Sequence, residues 1–211
     1  MTVENELNRL IESLPALKSC IGEVREATDA ITSCFENRGK LLICGNGGSC
    51  ADADHIVGEL MKSFEKKRPL TADLKNRLQI ASPERGSYIA EHLQRGLPAI
   101  SLCAHGALVS AFSNDVDADL VFAQQVEGYG NPGDLLLAIT TSGNSINVVD
   151  AAITAKAKGM TVIGMTGQSG GRLKAFCDIT ICVPAKITSE VQEYHMPVYH
   201  AICKCVEDHL F

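Results

Sequence analysis

The chain of 211 residues has a formal net charge of −6, with 45% hydrophobic and 21% charged residues, which is ordinary for a soluble globular protein. The acidic balance disfavours broad nucleic-acid binding, which requires a basic face, and no apolar run reaches the roughly 18 residues of a membrane span. Because the first ten residues also lack the apolar core of a secretory signal, we expect a cytoplasmic protein that binds neither nucleic acid nor a membrane.

The first 38 residues predict a pair of helices. Leu7, Leu10 and Leu14 recur at helical spacing before Pro15 interrupts the pattern. A second run of apolar residues with the same period continues as far as Gly39. We therefore expect an N-terminal helical hairpin over residues 1–38.

Five short apolar runs follow, each of about the usual strand length. Helix-length segments separate several of them, and another, residues 188–210, ends the chain with Ser189 as a candidate cap. Alternating strands and helices predict a parallel sheet with helices on both faces, in a single α/β domain over residues 1–211. The predicted strands are residues 40–44, 99–103, 134–139, 161–165 and 178–183, and the helices between them include residues 50–64 and 147–158.

Residues 65–97 interrupt this alternation. The segment has Pro69, a polar middle, Pro83 and Gly86, and its sequence predicts a helix only near residues 88–94. It is either a surface insertion within the domain or a lid or subunit contact, and both interpretations remain open at this stage.

The cysteines are nine in number, which is odd, and no Cys-x-x-Cys pair is present. Most of them lie in apolar runs. We expect reduced, buried thiols that act as small hydrophobic residues, in preference to disulfides or a zinc site built from cysteine.

A hydroxyl-rich loop follows the third predicted strand and precedes a predicted helix. Ligands of open parallel sheets bind beyond the carboxyl ends of the strands, and hydroxyl groups at the N-terminus of a helix suit a phosphate dianion. The alternative is a polar turn that caps the helix. The four hydroxyls surround Gly143 and belong to Thr140, Thr141, Ser142 and Ser145.

A glycine loop, residues 45–49, follows the first predicted strand. A dinucleotide-binding fingerprint would need glycine at position 50, where this chain has Cys50, and no Gly-Lys-Ser/Thr of a P-loop follows. We therefore predict a glycine-rich ligand loop of another kind.

Two further pairs are spaced for one face of a helix. His55 and Glu59, four residues apart, could share a proton or a metal ion, or form an ordinary exposed pair. Gln192 and His200 lie two helical turns apart on the last predicted helix, where His195 points elsewhere.

Taken together, the order of motifs resembles the phosphoheptose isomerase branch of the sugar isomerase (SIS) family of phosphosugar-binding proteins. The motifs are Cys-Gly-Asn-Gly-Gly-Ser, His-x-x-x-Glu, Asn114-Asp115, Thr-Ser-Gly-Asn-Ser and a late Gln-x₇-His. The resemblance runs from about residue 2 to the C-terminus, and residues 65–97 are longer than in compact members. It implies a flavodoxin-like three-layer fold with a five-stranded parallel sheet, and a homotetramer with active sites at subunit interfaces.

The resemblance also implies roles for individual residues. Glu59 and His200 resemble the general acid/base pair, and zinc is the implied metal. The residues that resemble the zinc ligands are His55, Glu59, Gln192 and His200. Those that resemble substrate contacts are Asn46, Gly47, Ser49, Asp115, Thr140, Thr141, Ser142, Ser145 and Gln192.

The implied reaction is aldose–ketose isomerisation through an enediol. The usual substrate of the family is sedoheptulose 7-phosphate, and its product, D-glycero-D-manno-heptose 7-phosphate, enters the synthesis of heptose for cell-surface polysaccharide. Ser189 stands where the family often has aspartate, which leaves the sugar open. Two alternatives remain: an isomerase of a different phosphosugar, and a noncatalytic phosphosugar-binding regulator, such as the type that binds the replication initiator protein.

Overall fold

The structure, a computed structural model, describes residues 3–211. Its five strands pair in parallel in the order β2-β1-β3-β4-β5, which confirms the predicted five-stranded parallel sheet. Each predicted strand is present, with ends that differ by one or two residues. The strands are β1 (Leu41–Gly45), β2 (Ala99–Ser101), β3 (Leu135–Thr140), β4 (Thr161–Thr166) and β5 (Ile179–Cys182).

Helices cover both faces of the sheet, and two of them form the predicted N-terminal pair. A short 3₁₀ helix that begins at Pro15 joins these two. The helices are α1 (Val3–Ser13), α2 (Ile21–Glu36), α3 (Gly48–Met61), α4 (Ala72–Ala81), α5 (Gly86–His92), α6 (Gly106–Phe112), α7 (Val121–Tyr129), α8 (Ile146–Ala157) and α9 (Thr188–Leu210).

The central strands are buried on both faces, which is why they are continuous apolar runs in the sequence. Leu41 and Ile43 of β1 pack into a core shared with α1, α2, α3 and α9. Leu42 and Cys44, which alternate with them, pack into a second core against α7 and α8. The sheet is therefore the middle layer of three.

The start of α9 corrects one expectation. Ile187, with extended backbone angles, precedes the helix, and no side chain caps it. Ser189 does not act as the cap, because it is already the second residue of the helix and a capping residue must lie before the first turn.

Residues 65–97 contain two helices where the sequence predicted one. The predicted helix near residues 88–94 overlaps α5, and α4 was missed. α4 has no buried residue and packs mainly against α5. Several large apolar side chains of the pair are exposed, among them Ile80 at 73% and Tyr88 at 51%.

All nine cysteines are free thiols, as expected, and five of them are buried. Burial raises the pKa of Cys203 to about 12 and that of Cys20 to about 11, so these thiols stay protonated at neutral pH. Within residues 3–211, no helix combines the length and the apolar character that crossing a membrane demands.

Candidate active site

The carboxyl ends of β1 and β3 bring the glycine loop and the hydroxyl loop together. Strand register places Gly45, the last residue of β1, beside Ile139 of β3, so the two loops leave the sheet side by side. Between them lies a cleft of about 360 Å³, which we call the hydroxyl cleft. Its lining residues are Asn46, Gly47, Gly48, Ser49, Thr140, Thr141, Ser145, Thr188 and Gln192.

The hydroxyls of the second loop are not consumed by capping the helix that follows. The Thr140 Oγ1 and Ser145 Oγ atoms lie 3.0 Å apart and share a hydrogen bond, and the Ser145 side chain makes no cap to α8. Ser142 is exposed, and its Oγ accepts a hydrogen bond from Asn144 N at 3.1 Å. The positive end of α8 therefore faces the cleft beside hydroxyl groups that do not cap the helix, which suits an anion.

Gly143 is required by the shape of this loop. Its φ is +69°, and an added Cβ would lie 2.1 Å from the carbonyl oxygen of Gly170. Leu173 N donates to the Gly143 carbonyl at 2.9 Å, and Arg172 N donates to Asn144 Oδ1 at 3.0 Å. The segment after β4 thus packs against the hydroxyl loop and fixes its conformation through these hydrogen bonds.

A second cleft of about 510 Å³ lies on the other side of Thr141 and Ser142, and Lys186 lines it. A lysine there adds positive charge near the hydroxyl loop. No sequence motif pointed to this residue, since an isolated lysine before a helix is common.

The glycine loop makes room for a side chain from α9. Gly48 begins α3, and a Cβ at this position would lie 2.2 Å from Gln192 Nε2. Any larger residue at position 48 would displace the Gln192 amide, so glycine lets this amide lie against the loop and line the cleft. The sequence had indicated Gln192 but not its contact with Gly48, because the two residues are far apart along the chain.

His55, Glu59 and His200 form a cluster where α3 runs beside α9. His55 Nε2 lies 3.1 Å from Glu59 Oε1, and the His55 and His200 ring centroids are 5.0 Å apart. The His200 Nε2 atom is buried and has no hydrogen-bond partner within the described chain. Burial and the neighbouring His55 lower the pKa of His200, so its imidazole is neutral at neutral pH.

Two residues that the sequence did not indicate support this cluster. Tyr199 is 1% exposed; its Oη lies 3.0 Å from His55 Nδ1 and donates to Asp52 Oδ1 at 3.3 Å. Asp52, His55 and Glu59 are spaced for one face of α3, which was the only sequence signal available for Asp52.

The remaining indicated residues lie elsewhere. Gln192 precedes His200 by eight residues, about 12 Å along α9, so it belongs to the cleft and not to the histidine cluster. Asp115 is exposed in a π-helical turn after α6 and accepts from Asn114 Nδ2 at 2.9 Å. His195 is fully buried, and burial lowers its pKa to about 4.

The donor types near His200 suit a zinc ion, but one chain does not complete the implied set. Histidine and glutamate are common zinc ligands, and a buried Nε2 without a partner is an atom that a metal ion can satisfy. However, no three His, Cys, Asp or Glu side chains among residues 3–211 are arranged to hold a metal ion. With Gln192 two turns away, the four implied ligands do not converge within one chain.

Comparison with known proteins gives consistent matches over most of the chain. The family model of the SIS domain matches residues 5–95 and 86–167. The phosphoheptose isomerase of Methylibium petroleiphilum is 40% identical over 187 residues, which are 87% of this chain and 80% of that protein. The phosphoheptose isomerase of Synechocystis sp. is 38% identical over 209 residues, 99% of this chain and 93% of that protein.

Two solved structures share the fold at 31% identity, each with a TM-score of 0.74. The phosphoheptose isomerase of Neisseria gonorrhoeae covers 97% of this chain and is itself covered to 94%. That of Francisella tularensis covers 99% of this chain and is covered completely.

Proposed function

Because this chain belongs to the SIS-domain family and, within it, to the phosphoheptose isomerases, we propose that it converts sedoheptulose 7-phosphate to D-glycero-D-manno-heptose 7-phosphate. The product serves heptose synthesis for cell-surface polysaccharide. The observation that carries the proposal is that Glu59 and His200 meet at one cluster, beside helices that also line the hydroxyl cleft.

The phosphate group binds in the hydroxyl cleft. Thr141 and Ser145 line this cleft and offer hydroxyl donors, and the N-terminus of α8 adds backbone N–H groups and a favourable dipole. The exposed Ser142 hydroxyl, next in the chain to Thr141, lines the second cleft and adds a further donor. The glycine loop and Gln192 line the same cleft and contact the sugar. We assign substrate contacts to Asn46, Gly47, Ser49 and Thr140 on the same basis. Asp115 lies outside this cleft and is assigned its contact from the family resemblance, at the site of a neighbouring subunit.

The chemistry requires one base and one acid. Glu59 removes one proton from C1 of the ketose, which gives an enediol, and the protonated Glu59 carboxyl then delivers a proton to C2, the former carbonyl carbon. His200, neutral because burial and His55 lower its pKa, moves a proton between the two oxygens.

We include zinc in the proposal, with His55, Glu59 and His200 as the ligands that this chain offers and Gln192 as the fourth implied ligand. Support comes from the donor types and from the buried Nε2 of His200 that lacks a partner in the described chain. When bound, zinc would act as a Lewis acid on the sugar carbonyl. Metal analysis of the purified protein by mass spectrometry, before and after chelation, tests this part.

We also include a homotetramer, in the cytoplasm, with active sites between subunits. One chain leaves Asp115 and the cleft apart from the histidine cluster, so residues of a neighbouring subunit would complete each site. Exposed apolar side chains on α4 and α5 are suited to burial between subunits. Light scattering of the purified protein gives the number of subunits directly.

The function is tested with a panel of sugar phosphates, with and without added zinc, by following products with NMR. We expect turnover of sedoheptulose 7-phosphate and none of its unphosphorylated form. Turnover of another sugar alone would indicate a different phosphosugar isomerase. Thermal stabilisation by sugar phosphates without any turnover would indicate a noncatalytic regulator.

A further inference from the structure

A chain of polar contacts runs from the half-buried Asp52 to the catalytic cluster. Asp52 Oδ1 lies 3.3 Å from Tyr199 Oη, Tyr199 Oη lies 3.0 Å from His55 Nδ1, and His55 Nε2 lies 3.1 Å from Glu59 Oε1. Two of the four residues, Asp52 and Tyr199, have no role in the reaction proposed above. Their contacts nevertheless constrain the protons of the other two.

The four side chains in this series of contacts share a limited number of protons. An ionised carboxylate only accepts hydrogen bonds, and a tyrosine hydroxyl has one proton to donate. If Tyr199 gives its proton to Asp52, its oxygen can only accept, so His55 Nδ1 must carry the proton between these two residues. A neutral His55 then has a lone pair on Nε2.

The opposite arrangement leaves a buried charge without donors. If Tyr199 donated to His55 Nδ1 instead, Asp52 would lose its hydrogen bond, and Asp52 Oδ2 is already buried with no partner in the described chain. Partial burial already raises the pKa of Asp52, and the hydrogen bond from Tyr199 opposes that shift, so losing this bond would disfavour the charged carboxylate further. A missing proton costs less between His55 Nε2 and Glu59, because the His55 side chain is 41% exposed and water can reach it.

We infer that Asp52 and Tyr199 are positioning residues that hold His55 in the Nδ1–H tautomer, with the Nε2 lone pair directed toward Glu59. This inference rests on the proposed function for the roles of Glu59 and His200. It goes beyond that function because it assigns work to two residues that touch no substrate.

The tautomer has a consequence for the site. A lone pair on His55 Nε2 cannot donate to Glu59, and two acceptors 3.1 Å apart repel each other unless they share a donor or a cation. Both atoms therefore stay open to a substrate proton or a cation. The same lone pair, with the partnerless Nε2 of His200 nearby, can accept a substrate hydroxyl or bind a cation. With the opposite tautomer, the N–H of His55 would occupy the Glu59 oxygen.

The tautomer is measured on the intact, metal-free protein labelled with ¹⁵N at histidine, because protonated and unprotonated ring nitrogens resonate far apart. A His55→Gln variant assigns the signals. We expect Nδ1–H in the unsubstituted protein. In Asp52→Asn the amide can donate to Tyr199, which would reverse the direction of the hydrogen bonds. In Tyr199→Phe the Nδ1–H of His55 loses its acceptor. Both variants should therefore shift His55 toward Nε2–H.

Tyr194→Phe, the same change on the same helix but outside the hydrogen-bonded chain, is the matched control and should keep the original tautomer. An Nε2–H signal in the unsubstituted protein would overturn the inference, even if neither variant folds. An unchanged tautomer in both folded variants would also overturn it.

Kinetics separate this inference from the proposed function. For Asp52→Asn we expect kcat to fall roughly 10- to 100-fold. KM should stay within about twofold, because the substitution leaves the hydroxyl cleft unchanged. Normal kcat in a folded variant with a switched tautomer overturns the positioning role and leaves the isomerase function standing. An Nδ1–H signal in a protein that turns over no sugar supports the tautomer assignment and contradicts the function.

Discussion

Arg68 and Glu207 form a buried ion pair, with Arg68 Nε 2.7 Å from Glu207 Oε1, that fastens the end of α3 to α9. The two side chains are 0% and 2% exposed. Arg68 also donates to the carbonyls of Leu60 at 2.6 Å and Glu59 at 3.2 Å, so it satisfies the last turn of the helix that carries the catalytic carboxylate. The pair therefore sets how α3 lies against the helix of His200.

Arg68→Met should lower the free energy of unfolding by about 3–5 kcal/mol, because it leaves Glu207 charged and buried without its cationic partner, with only the backbone N–H groups of residues 64–66 donating to it. Urea unfolding at pH 7 measures the change. Arg77→Met is the control: Arg77 pairs with Asp73 on exposed α4, with side chains 68% and 73% exposed, and its loss should stay within about 1 kcal/mol. Equal effects of the two substitutions would contradict the role of the buried pair.

Asn147→Ala should weaken sugar-phosphate binding, since Asn147 and Asn46 exchange two amide hydrogen bonds, of 2.9 and 3.0 Å, that tie the glycine loop to α8. Loss of about 0.5–1.5 kcal/mol corresponds to a rise in KM of roughly 2- to 12-fold, with kcat less affected. Steady-state kinetics on the turned-over sugar phosphate measure it. Asn76→Ala, on the exposed face of α4, should leave KM unchanged.

A double-mutant cycle adds Asn46→Ala. Because the two amides bond to each other, the losses of binding free energy in the two single variants should add up to more than the loss in the double variant. Simple additivity would show that the loops are held by other contacts.

His195 should make the protein less stable in mild acid. Burial lowers its pKa to about 4, whereas a histidine in the unfolded chain binds a proton near pH 6.5. The unfolded state therefore binds more protons between these values, so stability is present above pH 6.5 and is lost as the pH falls toward 4. Between pH 7 and pH 5 the loss should be about 2 kcal/mol, measured by urea unfolding.

In His195→Gln this part of the pH dependence should disappear, whatever the variant's stability at pH 7. His209→Gln is the control: His209 is exposed beside Glu36, and this variant should keep the loss of stability that His195 causes. A His195→Gln protein with the full pH slope would place the titration on other groups.

The sheet and the hydroxyl loop could be predicted because their signals are local. β3 is buried on both faces and is therefore a continuous apolar run, and Gly143 with its neighbouring hydroxyls is contiguous in sequence. Helix α4 was missed because it buries no residue and so has no apolar stripe. Its one signal was Thr71, whose side chain accepts from Leu74 N as an N-cap.

The contacts around His55 could not be predicted from the sequence. Tyr199 and Asp52 are 147 residues apart, and each is a common residue type in its own segment. Only the packing of α9 on α3 brings them together. For the same reason, the sequence did not distinguish Gly48 from the other glycines of its loop, because its contact with Gln192 depends on the packing of α9.

The most direct test of the catalytic assignment is the turnover of sedoheptulose 7-phosphate by Glu59→Gln and His200→Asn, followed by NMR, with Glu193→Gln on the exposed side of α9 as the control. Each of the first two should lose at least about 100-fold in kcat, because general acid–base groups contribute that much, while the sugar phosphate still raises their melting temperature. The control should turn over normally. Normal turnover by Glu59→Gln and His200→Asn would contradict the account.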